Sequence, residues 1–329
     1  MTSLIRSLFL AAAVCLAILT TAAMGAQLSG TLSGPVLGYM FDSNDGKLRP
    51  LLGILGSTTV GTPVELGFTP SLVLTLDAMH IIASTDAGPE FLVVGLESGP
   101  PSTTVISGVS GKPALAAVSL QGTAAAFYYA DVQEVRIVTG LPQKPALSNR
   151  ITLSQLGRPL THMALSNDGA LLVYSIAEGE GDALFSWSAS SDRDRFLMAA
   201  GSISSVAITG NGAAIVADRG ANEVFAIWDL GGAAIPQFLA GPGDGVSDPV
   251  GLASDANRIY ISNAGSGTVI ALDSNGRYLQ TLDCNCTLTG AFALRDSVFR
   301  LTDRVHRTIF LLDASSPTAR ILFAPPPKD

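Results

Sequence analysis

Three oxygen-bearing side chains fall at matching places in a chain that repeats itself. Asp218, Asn263 and Asp303 each follow a short apolar run, in Ala217-Asp-Arg, Ser262-Asn-Ala and Thr302-Asp-Arg. Matching places in successive repeats put them on one face of the assembly, where their oxygens could hold a shared substrate or a hard cation. Calcium is the ion such a set would take, since it wants six or more oxygen ligands; no other cofactor is expected. The competing use is local, because Asp and Asn commonly hydrogen-bond the backbone of their own turns. Asp77, Asp86, Asp131, Asn167, Asp168, Asn222, Asp255 and Asp296 are further loop oxygens, most with such a turn to serve.

A second group is cationic. Arg295, Arg300, Arg304 and Arg307 fall within thirteen residues. This local surplus could bind a carboxylate, a sulfated glycan or a partner loop, or it could be neutralised by Asp296 and Asp303 in ordinary surface pairs. Cys284 and Cys286 are separated only by Asn285. In an extended segment their side chains share a face, with Cα atoms near the upper limit for a relaxed disulfide, so a disulfide and a free pair both remain open. The three histidines, His80, His162 and His306, are too scattered for a His-rich zinc site. No HExxH, GxSxG, phosphate-loop or dinucleotide-binding pattern occurs in its required context.

The 19 Lys and Arg against 27 Asp and Glu leave a net charge of -8, which excludes ordinary nucleic-acid binding because phosphate contacts need a basic surplus. With 47% apolar residues, gross disorder is excluded too. Residues 1–25 read as an export leader: Arg6, an apolar run over 7–19, then small residues, with Ala23 and Gly25 at the −3 and −1 places of a cut after Gly25. An uncleaved anchor is the other reading. No later stretch is apolar enough to span a bilayer, so residues 26–329 are expected as one secreted or periplasmic domain.

What positions these side chains is a repeat. Met163-Ala-Leu-Ser-Asn-Asp-Gly-Ala-Leu-Leu-Val-Tyr174 has counterparts in Val206–Ala217 and Gly251–Ile261. Fainter copies extend the series to positions 74, 117, 164, 207, 253 and 293, with steps of 40 to 47 averaging about 44. A second pattern, as in Val269-Ile-Ala-Leu-Asp-Ser-Asn-Gly276, marks a third strand in each unit and includes Tyr39–Gly46. Asn-Gly and Asp-Gly turns supply the positive φ of tight hairpins. Gly212 is expected in such a turn, and Gly181 in a loop without that demand. Four short antiparallel strands at this period predict an all-β fold, a β-propeller of four-stranded blades. Seven blades are expected, the first short and lying over about 27–66; six with an N-terminal appendage is the other count. Val36–Phe41 and Leu48–Leu55 are expected as third and fourth strands of that short blade.

On these two patterns the chain resembles secreted bacterial β-propellers of the NHL and YncE-like repeat type, over most of residues 70–320. That resemblance implies blades and no particular activity, since the group includes lactonases, lyases and binding modules. The expected function is a secreted scaffold, non-catalytic, binding an envelope or extracellular protein or a glycan. The alternative is a metal-dependent propeller hydrolase or lactonase acting at the channel mouth, with Asp218, Asn263 and Asp303 as oxygen donors.

Overall fold

The computed structural model describes residues 34–326, apart from 43–44, 86–87, 97–99, 154–157, 256, 296 and 304–306; the expected leader lies outside the described residues. Strand alternation decides the architecture. In the strand Ala124–Tyr129 every residue is buried. Ala124, Ala126 and Tyr128 join one apolar cluster, while Ala125, Phe127 and Tyr129 join another. Ala214–Asp218 does the same, with Ile215 and Ala217 on one side and Ala214 and Val216 on the other. Such two-sided strands are what a sheet needs when further sheets cover both its faces.

Seven antiparallel sheets result, over residues 36–60, 70–110, 115–152, 160–200, 203–240, 249–283 and 292–324. An apolar cluster fills each of the seven spaces between neighbouring sheets. The circle closes where Leu37, Met40 and Leu51 of the first sheet pack on Leu294, Val298, Ile309 and Leu311 of the seventh. The fold is a seven-bladed β-propeller. Within each blade the strands pair in chain order, and the first strands of successive blades touch one another around the axis. All six recurrent positions, from Leu74 to Ala293, lie in these first strands. Among the described residues no helix is long and apolar enough to cross a membrane.

Blade 1 departs from expectation. Val36–Asp42 is its first strand, not its third, because it touches the first strands Pro70–Thr75 and Phe292–Arg295 of both neighbouring blades. The Tyr39–Gly46 pattern misled because a strand followed by an Asp-containing Gly turn occurs after first strands as well as third ones. Lys47–Ile54 and Ser57–Val60 complete a three-stranded sheet. Beyond Val60 the amides of Gly61 and Val64 donate to the carbonyls of Pro50 and Leu48, each at 2.8 Å. The last strand, Arg320–Ala324, lies beside Ser57–Val60, where the ring closes.

Gly212 has φ +82° in its hairpin, as expected. Gly181 is not a relaxed loop residue. It opens the strand Gly181–Ser188, and a Cβ there would stand 2.5 Å from the Ala200 carbonyl oxygen.

Candidate functional site: the axial chamber

The first strands carry small side chains toward the axis, and the space they leave is a chamber of about 950 Å³ at the hairpin end of the ring. Every blade contributes to its wall, with Tyr39, Leu74, Ala117, Ala164, Ala207, Ala253 and Ala293 among the lining residues. A smaller hollow of about 340 Å³ lies where the first strands begin, lined by Thr161, His162, Ser204, Ser205 and Thr289. Ala116, Met163, Val206, Ala291 and Phe292 border both and form the waist between them.

The two carboxylates at the chamber wall among the described residues are already engaged. Asp77 Oδ1 accepts the amides of Met79 and His80 at 2.7 and 2.8 Å, and Oδ2 lies 2.9 Å from His80 Nδ1. Asp255 accepts the amides of Asn257 and Arg258 through Oδ1 and pairs with the Arg258 guanidinium through Oδ2 at 2.9 Å. The Tyr260 hydroxyl also donates to Asp255, at 3.3 Å. Burial, then the Asp255 charge, pushes the Tyr260 phenol far above its ordinary range.

Two cations face the same space. Arg295 Nη1 donates to the Val36 carbonyl at 3.0 Å, joining blade 7 to blade 1. Arg300 Nη1 donates to the Thr302 carbonyl at 2.8 Å, and its guanidinium carbon stands 4.5 Å from the centroid of the Phe292 ring. Its Nε is buried and has no hydrogen-bond acceptor. Burial pushes the guanidinium pKa down to about 10, against a smaller upward pull from Asp303. Of the four clustered arginines, then, Arg295 and Arg300 line the chamber. Arg307 is exposed and does not, and Arg304 lies outside the described residues.

Asp218, Asn263 and Asp303 do occupy corresponding places, but none lines the chamber or the hollow. Asp218, 4% exposed, accepts backbone N–H groups from Gly201, Ser202 and Ala221. Asn263, fully buried, accepts the Ser247 amide at 3.2 Å. Asp303 is exposed, and its own amide donates to Thr289 Oγ1 at 3.0 Å. Each thus ties the end of a second strand to the segment that leads into the first. Among the described residues no group of three or more His, Cys, Asp or Glu side chains is placed to hold a metal.

Cys284 and Cys286 are joined by a disulfide with Cα atoms 5.1 Å apart. Asn285 between them has φ +53°, and this left-handed residue shortens the span that an extended segment would have. Tyr39 and Phe292 escaped the sequence reading as wall residues. The signal was their place in first strands, which becomes legible for Tyr39 only once blade 1 is read in the right order.

No protein-family model matches the chain, and no curated protein does. Among solved structures it is similar to a functionally unknown protein from Desulfotomaculum acetoxidans, at TM-score 0.59 and 12% identity over 88% of this chain and 99% of that one. It is also similar to a streptogramin B lyase, at TM-score 0.54 and 11% identity over 76% of this chain and 80% of the other. Hydrazine synthase of Kuenenia stuttgartiensis aligns at TM-score 0.53 and 13% identity over 91% of this chain and 98% of the matched one. Likeness at such identity shows the propeller fold and carries no activity with it.

Proposed function

We propose that the protein is an exported, non-catalytic binding propeller that holds part of an extracellular or envelope protein or glycan in its axial chamber. The observation that carries this reading is the convergence of all seven blades on one hollow of about 950 Å³, whose wall is apolar and polar in near-equal parts. Ligand sites commonly have that size. The repeat patterns around Ala164 and Val269 support an NHL or YncE-like type, and the charge, apolar run and small residues of 1–25 support export.

The test uses the mature chain as bait against host envelope extract and a glycan array, beside an Ala78→Trp variant. Ala78 lies in the hairpin at the chamber wall, so an indole there obstructs the mouth without entering a blade interface. A partner or glycan bound by the wild type and lost with Ala78→Trp, at unchanged melting temperature, is the expected result. Equal capture by both proteins would place binding elsewhere. Intact mass of exported protein checks the leader, with Ala26 or Gln27 expected first.

A further inference from the structure

We propose that the Cys284–Cys286 disulfide is a redox-sensitive clasp: an external dithiol opens it in the folded protein and so loosens the wall of the smaller hollow.

The bond sits where blade 6 hands over to blade 7. Residues 284–291 run from the outer strand Tyr278–Asp283 to the first strand Phe292–Arg295. Thr289, Gly290 and Ala291, at the far end of that crossing, line the smaller hollow. The crossing from blade 5 to blade 6, residues 241–248, has the same length. There hydrogen bonds close the turn. Asp244 Oδ2 accepts the Gly241 amide at 3.0 Å, and the Gly241 carbonyl accepts the amides of Asp244 and Val246 at 2.9 and 3.1 Å.

Within 284–291 no backbone hydrogen bond joins one residue to another. The Cys284 amide donates to the Gly267 carbonyl and the Thr289 amide to the Leu301 carbonyl, both outside the crossing. Between those two ties the disulfide takes the place that hydrogen bonds hold in the other crossing. Leu288, 2% exposed, is its apolar anchor, as Val246, 3% exposed, is there.

Two features favour reduction without unfolding. Cys286 is partly exposed whereas Cys284 is 6% exposed, so an outside thiolate enters at Cys286. A disulfide and a fold stabilise each other equally, and a loop with one intervening residue removes little chain entropy, so the fold protects this bond little.

The exchange balances. A thiolate of the dithiol bonds to Cys286 Sγ, the Cys284–Cys286 bond breaks, and Cys284 leaves as a thiolate that takes up a proton. The second thiol of the reductant then displaces Cys286, which is protonated in turn. The dithiol becomes a disulfide, losing the two electrons that the protein gains. Asn285 is thereby released from its φ of +53°, and 285–288 lose the cross-link that shapes them.

The experiment treats the native mature chain with a small molar excess of dithiothreitol, counts free thiols by alkylation and mass, and follows amide hydrogen exchange by NMR. Two free thiols should appear while the protein stays folded. Exchange at the Thr289 amide should rise about tenfold or more, with the Val246 amide unchanged. Reoxidation with oxidised glutathione should restore the slow exchange. Cys286→Ser should show the fast Thr289 exchange without reductant and no further response to it; Cys286→Ala serves if the serine variant does not fold. A bond that resists dithiothreitol until the chain unfolds overturns the inference, and so does a cut bond with Thr289 exchange unchanged. Both readouts stand apart from partner capture, so their failure leaves the binding role of the chamber untouched.

Discussion

The carboxylate Oδ2 of Asp218 lies 2.7 Å from the backbone nitrogen of Gly201, seventeen residues earlier in the chain. Its other oxygen accepts the N–H groups of Ser202 at 2.9 Å and Ala221 at 3.2 Å. One buried side chain therefore fastens both the loop entering blade 5 and the turn that leaves its second strand. Asp218→Asn turns an amide NH2 toward one of these donors, and a buried donor left unsatisfied costs about 1–3 kcal/mol. Asp303→Asn, at an exposed site, should stay within about 0.5 kcal/mol of wild type. Urea denaturation of the two variants measures the difference, and equal losses would refute the clamp.

Gly212 has φ +82° with open space where a Cβ would stand, so Gly212→Ala bears a purely conformational penalty, about 1–2 kcal/mol. Gly231 also has open space but no positive φ, and Gly231→Ala should be neutral or slightly stabilising. Gly181→Ala should cost more than either control position suggests, since its Cβ meets the Ala200 carbonyl oxygen at 2.5 Å. Melting temperatures that rank the three otherwise would contradict the hairpin and strand assignments.

The Cys284–Cys286 disulfide closes a very short loop. Chain entropy for such a loop is small, giving about 1.5 kcal/mol at 25 °C. Cys286→Ser should therefore cost about 1–2 kcal/mol, matched by wild type under reducing conditions. Cys284 is 6% exposed and packs beside Leu288, Phe299 and Leu301, so Cys284→Ser adds the burial of a hydroxyl and should cost more. Calorimetry with and without reductant separates the two contributions.

His162 lies at the smaller hollow, where burial pushes its pKa below the ordinary value despite opposing help from Asp182 and the Ser204 backbone. The unfolded chain, with a histidine pKa of about 6.5, then binds more protons than the folded one. The neutral ring's contribution is complete above pH of about 6.5 and is lost as pH falls through the folded value. Stability should decline between pH 7 and 5 in wild type, and decline less in His162→Gln. An NMR titration of the ring protons checks the direction; a midpoint above that of a free histidine would sink it.

Much of the fold was legible along the chain. The positions from Leu74 to Ala293 mark first strands in six blades, and the fully apolar runs mark strands between two packed faces. Blade 1 was misread because its turn chemistry does not distinguish one hairpin of a blade from the next. Its order follows from Leu37 and Met40 meeting Leu294 and Ile309. The site was legible only in part. Arg295 and Arg300 drew notice by their density, yet nothing local separates them from Arg307, which faces solvent.

Period, strand alternation and turn residues are local properties, and the sequence by itself determined from them that this chain stacks blades into a propeller. The axial chamber is of another kind. Tyr39 and Phe292 share its wall, and Arg295 reaches the Val36 carbonyl across 259 residues of chain. Which side chains face the axis, and which of the clustered arginines reach it, are decided only when the ring closes. Those outcomes depend on distances between segments that no local pattern encodes.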